Sequence, residues 1–128
     1  MVGSGPGRGP GYGLIYGHLF IYMSFPRLPP ESLLPQLADL FRLLGDATRL
    51  RIVLACLDGP VAVGGIAAAL ALPATLVSHH LRLLRAARLV KSERQGRHVL
   101  YSAADQHVAH MLQDMIEHIA EPHQEETA

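Results

Sequence analysis

The chain has 128 residues, 49% hydrophobic and 17% charged, which suits one compact domain with a buried core and excludes a disordered tail. Its one cysteine excludes an internal disulfide framework and fits a reducing compartment, so a cytoplasmic location is expected. The formal net charge of zero does not exclude a nucleic-acid partner. It is the sum of a basic middle and an acidic end: Arg82, Arg85, Arg88, Lys91, Arg94 and Arg97 stand against Glu93, and Asp105, Asp114, Glu117, Glu121, Glu125 and Glu126 follow without a Lys or Arg among them.

Residues 1–30 differ from the rest. Gly and Pro dominate the stretch from Gly3 to Gly11, which cannot form a regular element. The apolar run Leu14 to Phe25 is broken by Gly17 and His18 and is shorter than the roughly 20 apolar residues of a membrane helix. Pro26-Arg27-Leu28-Pro29-Pro30 follows it, not a small-residue cleavage site. Ordinary domain composition begins after Met23. Residues 1–30 are therefore expected to be a disordered or misread extension, with translation starting at Met23, and no membrane partner is expected.

A domain over residues 31–121 follows, with 122–128 as a flexible tail. Leu33, Leu34, Leu37, Leu40, Phe41 and Leu44 recur at helical steps, with Pro35 in the first turn and Gly45 as the stop. Asp46 caps a second helix, Ala47 to Leu57. That helix carries Cys56 in an apolar run, as a buried small hydrophobe. Asp58-Gly59-Pro60 is a turn, and Ile66, Ala67 and Leu70 give a short third helix from about Val63. A fourth helix runs from about Ala74 to Arg88. Leu89 to Arg94 and Arg97 to Ser102 read as two strands around Gln95-Gly96, where Gly96 supplies a positive φ. A last helix spans about Ala104 to Ala120, before Pro122. The fold class is mainly α with a β-hairpin wing, a winged helix-turn-helix.

On the fourth helix Val77, Leu81 and Leu84 form a core stripe, while Thr75, Ser78, His79 and Arg82 share another face that Arg85 extends. These are donors and acceptors that can reach base edges and phosphates. His80 points between the two faces. The hairpin tip carries Arg94, Gln95, Arg97 and His98, suited to phosphate or minor-groove contact. Each residue alone reads equally well as solvated surface; together they indicate double-stranded DNA as partner.

The last helix holds Asp105, His107, His118 and Glu121, two nitrogen and two oxygen donors of the kind that hold four-coordinate Zn²⁺. Eleven residues separate the two histidines, about 16 Å along a helix axis. One zinc cannot take both, since each ligand must come within about 2 Å of it. His118 and Glu121 are neighbours three apart, and Asp105 and His107 form a second pair if the helix start bends Asp105 inward. An antiparallel copy of the helix would join one pair to the other, giving two identical sites in a two-fold dimer. Val108, Leu112, Met115, Ile116 and Ile119 run beside the ligand face as a dimer seam would. On spacing alone, a solvated acidic face explains the same residues as well.

The segments Leu43 to Ile52, Val77 to Leu84 and Arg94 to Tyr101 resemble the ArsR/SmtB family of dimeric bacterial repressors. The resemblance runs over about residues 31 to 121 without a gap. It implies a homodimer joined through the first and last helices, with Thr75, Ser78 and His79 on operator DNA. It also implies metal ligation by Asp105, His107, His118 and Glu121, and a bond from metal-bound His118 to a carbonyl near Arg88. Pro73 departs from the family's serine cap and leaves the first turn of the fourth helix open. Val61-Ala62-Val63-Gly64-Gly65 lacks the cysteines of the thiolate-selective branches, so Zn(II), or Co(II), is the expected effector. A nickel site would need further ligands, which His110, His18 or His123 could add. The expected function is a repressor that leaves its operator when zinc binds. The alternative is the same fold answering to redox state, through Cys56, or to a partner protein. A metal-buffering or protein-interaction module without an operator is disfavoured by the basic fourth helix. With no nucleophile–base pair and no phosphate loop, neither an enzyme nor a small-molecule substrate is expected.

Overall fold

The computed structural model describes residues 29–122. The expectations for residues 1–28, including the start at Met23 and His18, and those for the tail with His123, lie outside the described residues. By contact the described residues divide into two units, with the boundary between Leu37 and Ala38. In the first, Leu33 N–H donates to the Pro30 carbonyl at 2.9 Å and closes a turn. Helix α1, Leu34–Leu44, starts there with Pro35 in its first turn, where a missing N–H costs nothing.

In the second unit the elements follow as α2 (Ala47–Ala55), β1 (Val61–Ala62), α3 (Val63–Leu70), α4 (Ala74–Ala86), β2 (Val90–Gln95), β3 (His98–Ala103) and α5 (Gln106–Ala120). Helix α1 ends at Gly45, where a Cβ would sit 3.3 Å from the Phe41 carbonyl oxygen. Asp46 then caps α2 as its side chain accepts from Arg49 N–H at 2.9 Å. The two arginines that follow bind helix ends. Arg49 Nε donates to the Leu43 carbonyl of α1 at 2.9 Å, and Arg51 Nη2 to the Leu70 carbonyl of α3 at 3.1 Å. These carbonyls have no intrahelical partner, so each arginine ties α2 to a neighbour.

Helices α2, α3 and α4 enclose the core. Ile52, Val53, Cys56, Ile66, Val77, Leu81, Leu84, Leu89 and Val90 are its fully buried side chains, and no polar residue is buried among the described ones. A buried aliphatic side chain of this size contributes about 1.5–3 kcal/mol relative to exposure. Helix α5 reaches this core through Leu112, with Val108 and Met111 beside it.

The sheet has three strands in the order β1-β3-β2, all antiparallel. The hairpin was expected one residue earlier on both sides. Its register pairs Gln95 with His98, so the loop is Gly96-Arg97. Gly96, at φ 61°, holds the first loop position, as a type II′ turn requires. Strand β1 was not expected: two residues are too few to show a period, and Val61 is fixed by its partner Tyr101.

Among the described residues two that are not glycine take the left-handed conformation, Ala71 at φ 55° and Arg88 at φ 60°. Both end helices. Leu72 N–H reaches the Ala67 carbonyl, and Leu89 N–H the Leu84 carbonyl, in each case five residues back. The second bond ends α4 at Ala86, two residues before the expected Arg88, and brings Leu84 and Leu89 together in the core. A Cβ in this region costs about 1–2 kcal/mol. Ala71→Gly is therefore expected to raise unfolding stability in urea by roughly 0.5–1 kcal/mol. A lowered midpoint would show that the turn between α3 and α4 is unstrained.

Candidate functional site

Helix α4 separates its faces as its sequence dictates. Val77, Leu81 and Leu84 are buried, whereas Thr75, Ser78, His79, Arg82 and Arg85 are all exposed. No side chain caps this helix. The Pro73 carbonyl accepts from both Leu76 and Val77 N–H at 3.1 Å, so the first turn starts at Ala74 even without a serine cap. Arg94, Gln95, Arg97 and His98 are exposed at the β2–β3 tip. The candidates thus form two exposed groups, one along α4 and one on the wing. Among the described residues no ion pair engages Arg82, Arg85, Arg94 or Arg97.

Three features of α4 were not legible as functional. Leu76 and Leu83 are exposed although apolar. His80 is half-buried, and its Nδ1 is fully buried with no hydrogen-bond partner among the described residues. Burial chiefly, with the Arg49 charge and His79, holds His80 below the ordinary histidine range, while Asp46 opposes the shift. Its folded-state value is depressed, so the ring is neutral at pH 7. Its contribution to stability is complete above the unfolded value near 6.5 and is lost as pH falls through the folded one.

The candidate metal ligands occupy the two ends of α5. Asp105 is the N-cap, with Oδ1 accepting from Val108 N–H at 3.1 Å and lying 3.6 Å from His107 Nδ1. The first pair is thus brought together, with Asp105 just outside the helix. His118 lies in the last turn, and Glu121 is the C-cap, where the chain turns extended. Both are exposed. Among the described residues no three His, Cys, Asp or Glu side chains are placed to hold one metal. Each end of α5 offers an imidazole and a carboxylate, half of a tetrahedral N₂O₂ donor set that suits Zn²⁺. Between the ends, Met115, Ile116 and Ile119 are exposed. Cys56 is buried, and burial pushes its thiol up to about 11. Among the described residues no single helix is long and apolar enough to cross a membrane.

A family model described as "Bacterial regulatory protein, arsR family" matches residues 46–92, from the cap of α2 into β2. The HTH-type transcriptional repressor SmtB of Mycobacterium tuberculosis is 41% identical over 98 residues, covering 77% of this chain and 73% of its own. The cadmium metal-sensor CMTR of Mycobacterium tuberculosis superimposes with a TM-score of 0.57 at 38% identity, over 71% of this chain and 95% of that one. A homodimeric winged helix-turn-helix domain from Mycobacterium bovis, a possible ArsR-family regulator, gives a TM-score of 0.66 at 27% identity, over 80% and 99%. The fold is therefore a winged helix-turn-helix, and these relatives are transcriptional regulators, not enzymes. With its helix-turn-helix, its wing and two fifths of its aligned residues in common with a named repressor, the chain belongs to the ArsR family of bacterial regulatory proteins.

Proposed function

We propose that this protein is a metal-responsive repressor of the cytoplasm: a homodimer, joined through α1 and α5, that binds double-stranded operator DNA. It reads the operator with Thr75, Ser78 and His79 of α4, while Arg82, Arg85, Arg94, Gln95 and Arg97 hold the backbone. Zn(II), or Co(II), releases it by bridging Asp105 and His107 of one subunit to His118 and Glu121 of the other.

The observation that carries this reading is the make-up of α5. A ligand pair stands at each end, and a row of exposed Met and Ile side chains lies between. One helix cannot close a site, and the apolar row supplies a reason for a second copy to lie alongside. Residues 1–128 include no thiol other than Cys56, and soft metals such as cadmium favour thiolate ligands. Imidazole and carboxylate favour zinc over the cadmium that CMTR senses. The buried, weakly acidic Cys56 also speaks against the redox alternative.

Zinc must favour a dimer shape of low operator affinity, and the operator must weaken zinc binding by the same factor. Titration of operator duplex with and without zinc tests this. Affinity is expected to fall by about 5- to 150-fold on adding zinc; unchanged affinity would overturn the metal reading.

A further inference from the structure

His80 stands between the DNA-reading face of α4 and the corner where α1 meets α2. Its ring lies against His79, with centroids 5.6 Å apart and planes at 58°. The charges of Asp46 and Arg49 are also near enough to act on it. Those two residues are fixed: Asp46 holds the Arg49 N–H, and Arg49 Nε holds the Leu43 carbonyl. Among the described residues His80 Nδ1 is fully buried without a partner, an arrangement that costs stability and that a purely apolar side chain would avoid.

His79 by contrast is exposed. An exposed side chain samples several rotamers, and ordering it on DNA weakens binding. A ring held against it removes part of that loss before the DNA arrives. We propose that His80 is a positioning residue for operator recognition, one that holds the His79 side chain in place from the anchored α1–α2 corner. This rests on the DNA-binding reading above. His80 touches no DNA in this role; it acts through His79.

The test uses the full chain and a duplex enriched from a random-sequence pool by the wild-type protein. Leucine at position 80 fills space without a ring, and phenylalanine keeps a ring without a titratable nitrogen. His80→Leu is expected to weaken binding of the enriched duplex about ten-fold and to leave binding of scrambled duplex within about two-fold. His80→Phe is expected to restore most of the loss. In a His79→Ala background, His80→Leu is expected to change affinity by less than about two-fold. Equal losses in both backgrounds, or no loss with His79 present, would overturn the proposal. Equal losses for both duplexes would mark a general structural role and overturn it too. A pool that yields no enriched sequence overturns the DNA reading itself, and this proposal with it. Circular dichroism of each variant, recorded below its melting temperature, confirms that folded proteins are compared.

Discussion

Ile119→Glu is expected to leave the protein folded but monomeric, and to weaken operator binding by a factor on the order of 10² or more. Ile119 is 73% exposed, and Met115 and Ile116 are each 49% exposed, whereas Leu112 on the same helix is 7% exposed. Helix α5 therefore meets the chain's own core through Leu112 and shows its later apolar residues to the outside. Covering what each of them still exposes contributes about 1–2 kcal/mol, in proportion to that remaining surface, and a carboxylate on that surface adds a desolvation cost that a second copy would have to bear. The loss at the operator follows from geometry. A two-fold dimer engages two half-sites at once, so the second contact is intramolecular; a monomer loses that advantage. Sedimentation of the variant, followed by operator titration, checks both parts. Ile119 lies outside the buried core, so circular dichroism should show unchanged helix content. A stable dimer would overturn α5 as the seam.

The second large effect is at the ligands. Wild-type protein is expected to hold about two zinc ions per dimer, one for each two-fold related site, and His118→Ala to lose them together with the zinc-induced release. Metal-free His118→Ala should bind operator as the wild type does, because His118 is far in sequence from α4 and the wing. Asp105 separates two roles. Its Oδ1 caps α5 through Val108 N–H, and its charge would serve the metal. Asparagine keeps a cap oxygen and removes the charge; alanine removes both. Asp105→Asn is expected to lose zinc response with little change in stability, and Asp105→Ala to lose about 0.5–2 kcal/mol besides. Urea unfolding and zinc titration of the two variants check this. Equal stabilities would show that the cap contributes nothing. Full zinc response in Asp105→Asn would remove Asp105 from the ligand set.

Much of this was legible in the sequence where period and chemistry agree. The stripe Val77, Leu81, Leu84 announced the buried side of α4, Asp46 its place as a cap, and Gly96 the wing turn. What was not legible depends on contacts across the chain. Strand β1 exists because Tyr101 and Leu100 pair with it. Nothing in the sequence marks Arg49 and Arg51 as ligands of helix ends, because their carbonyl partners lie six and nineteen residues away. His80 could be seen to fall between two faces, but its orphaned nitrogen and its charged neighbours come from α2. At the candidate ligand site the sequence carried the donor types and their spacing. It did not show that Asp105 is engaged as a helix cap, since a cap and a ligand draw on the same carboxylate.

The short passage from the sheet into α5 has a mechanical meaning. Ala103 N–H is bonded to the Cys56 carbonyl at the end of α2, and Ala104 N–H to the Leu89 carbonyl at the foot of β2, with Asp105 next in line. There is no slack between the last moored amide and the first candidate ligand. On the proposed function, a shift of α5 on metal binding would act directly on these two bonds, at the root of the wing and at the end of α2. Lengthening the junction by one residue is therefore expected to weaken the zinc-induced release of operator while leaving zinc binding and metal-free operator binding unchanged.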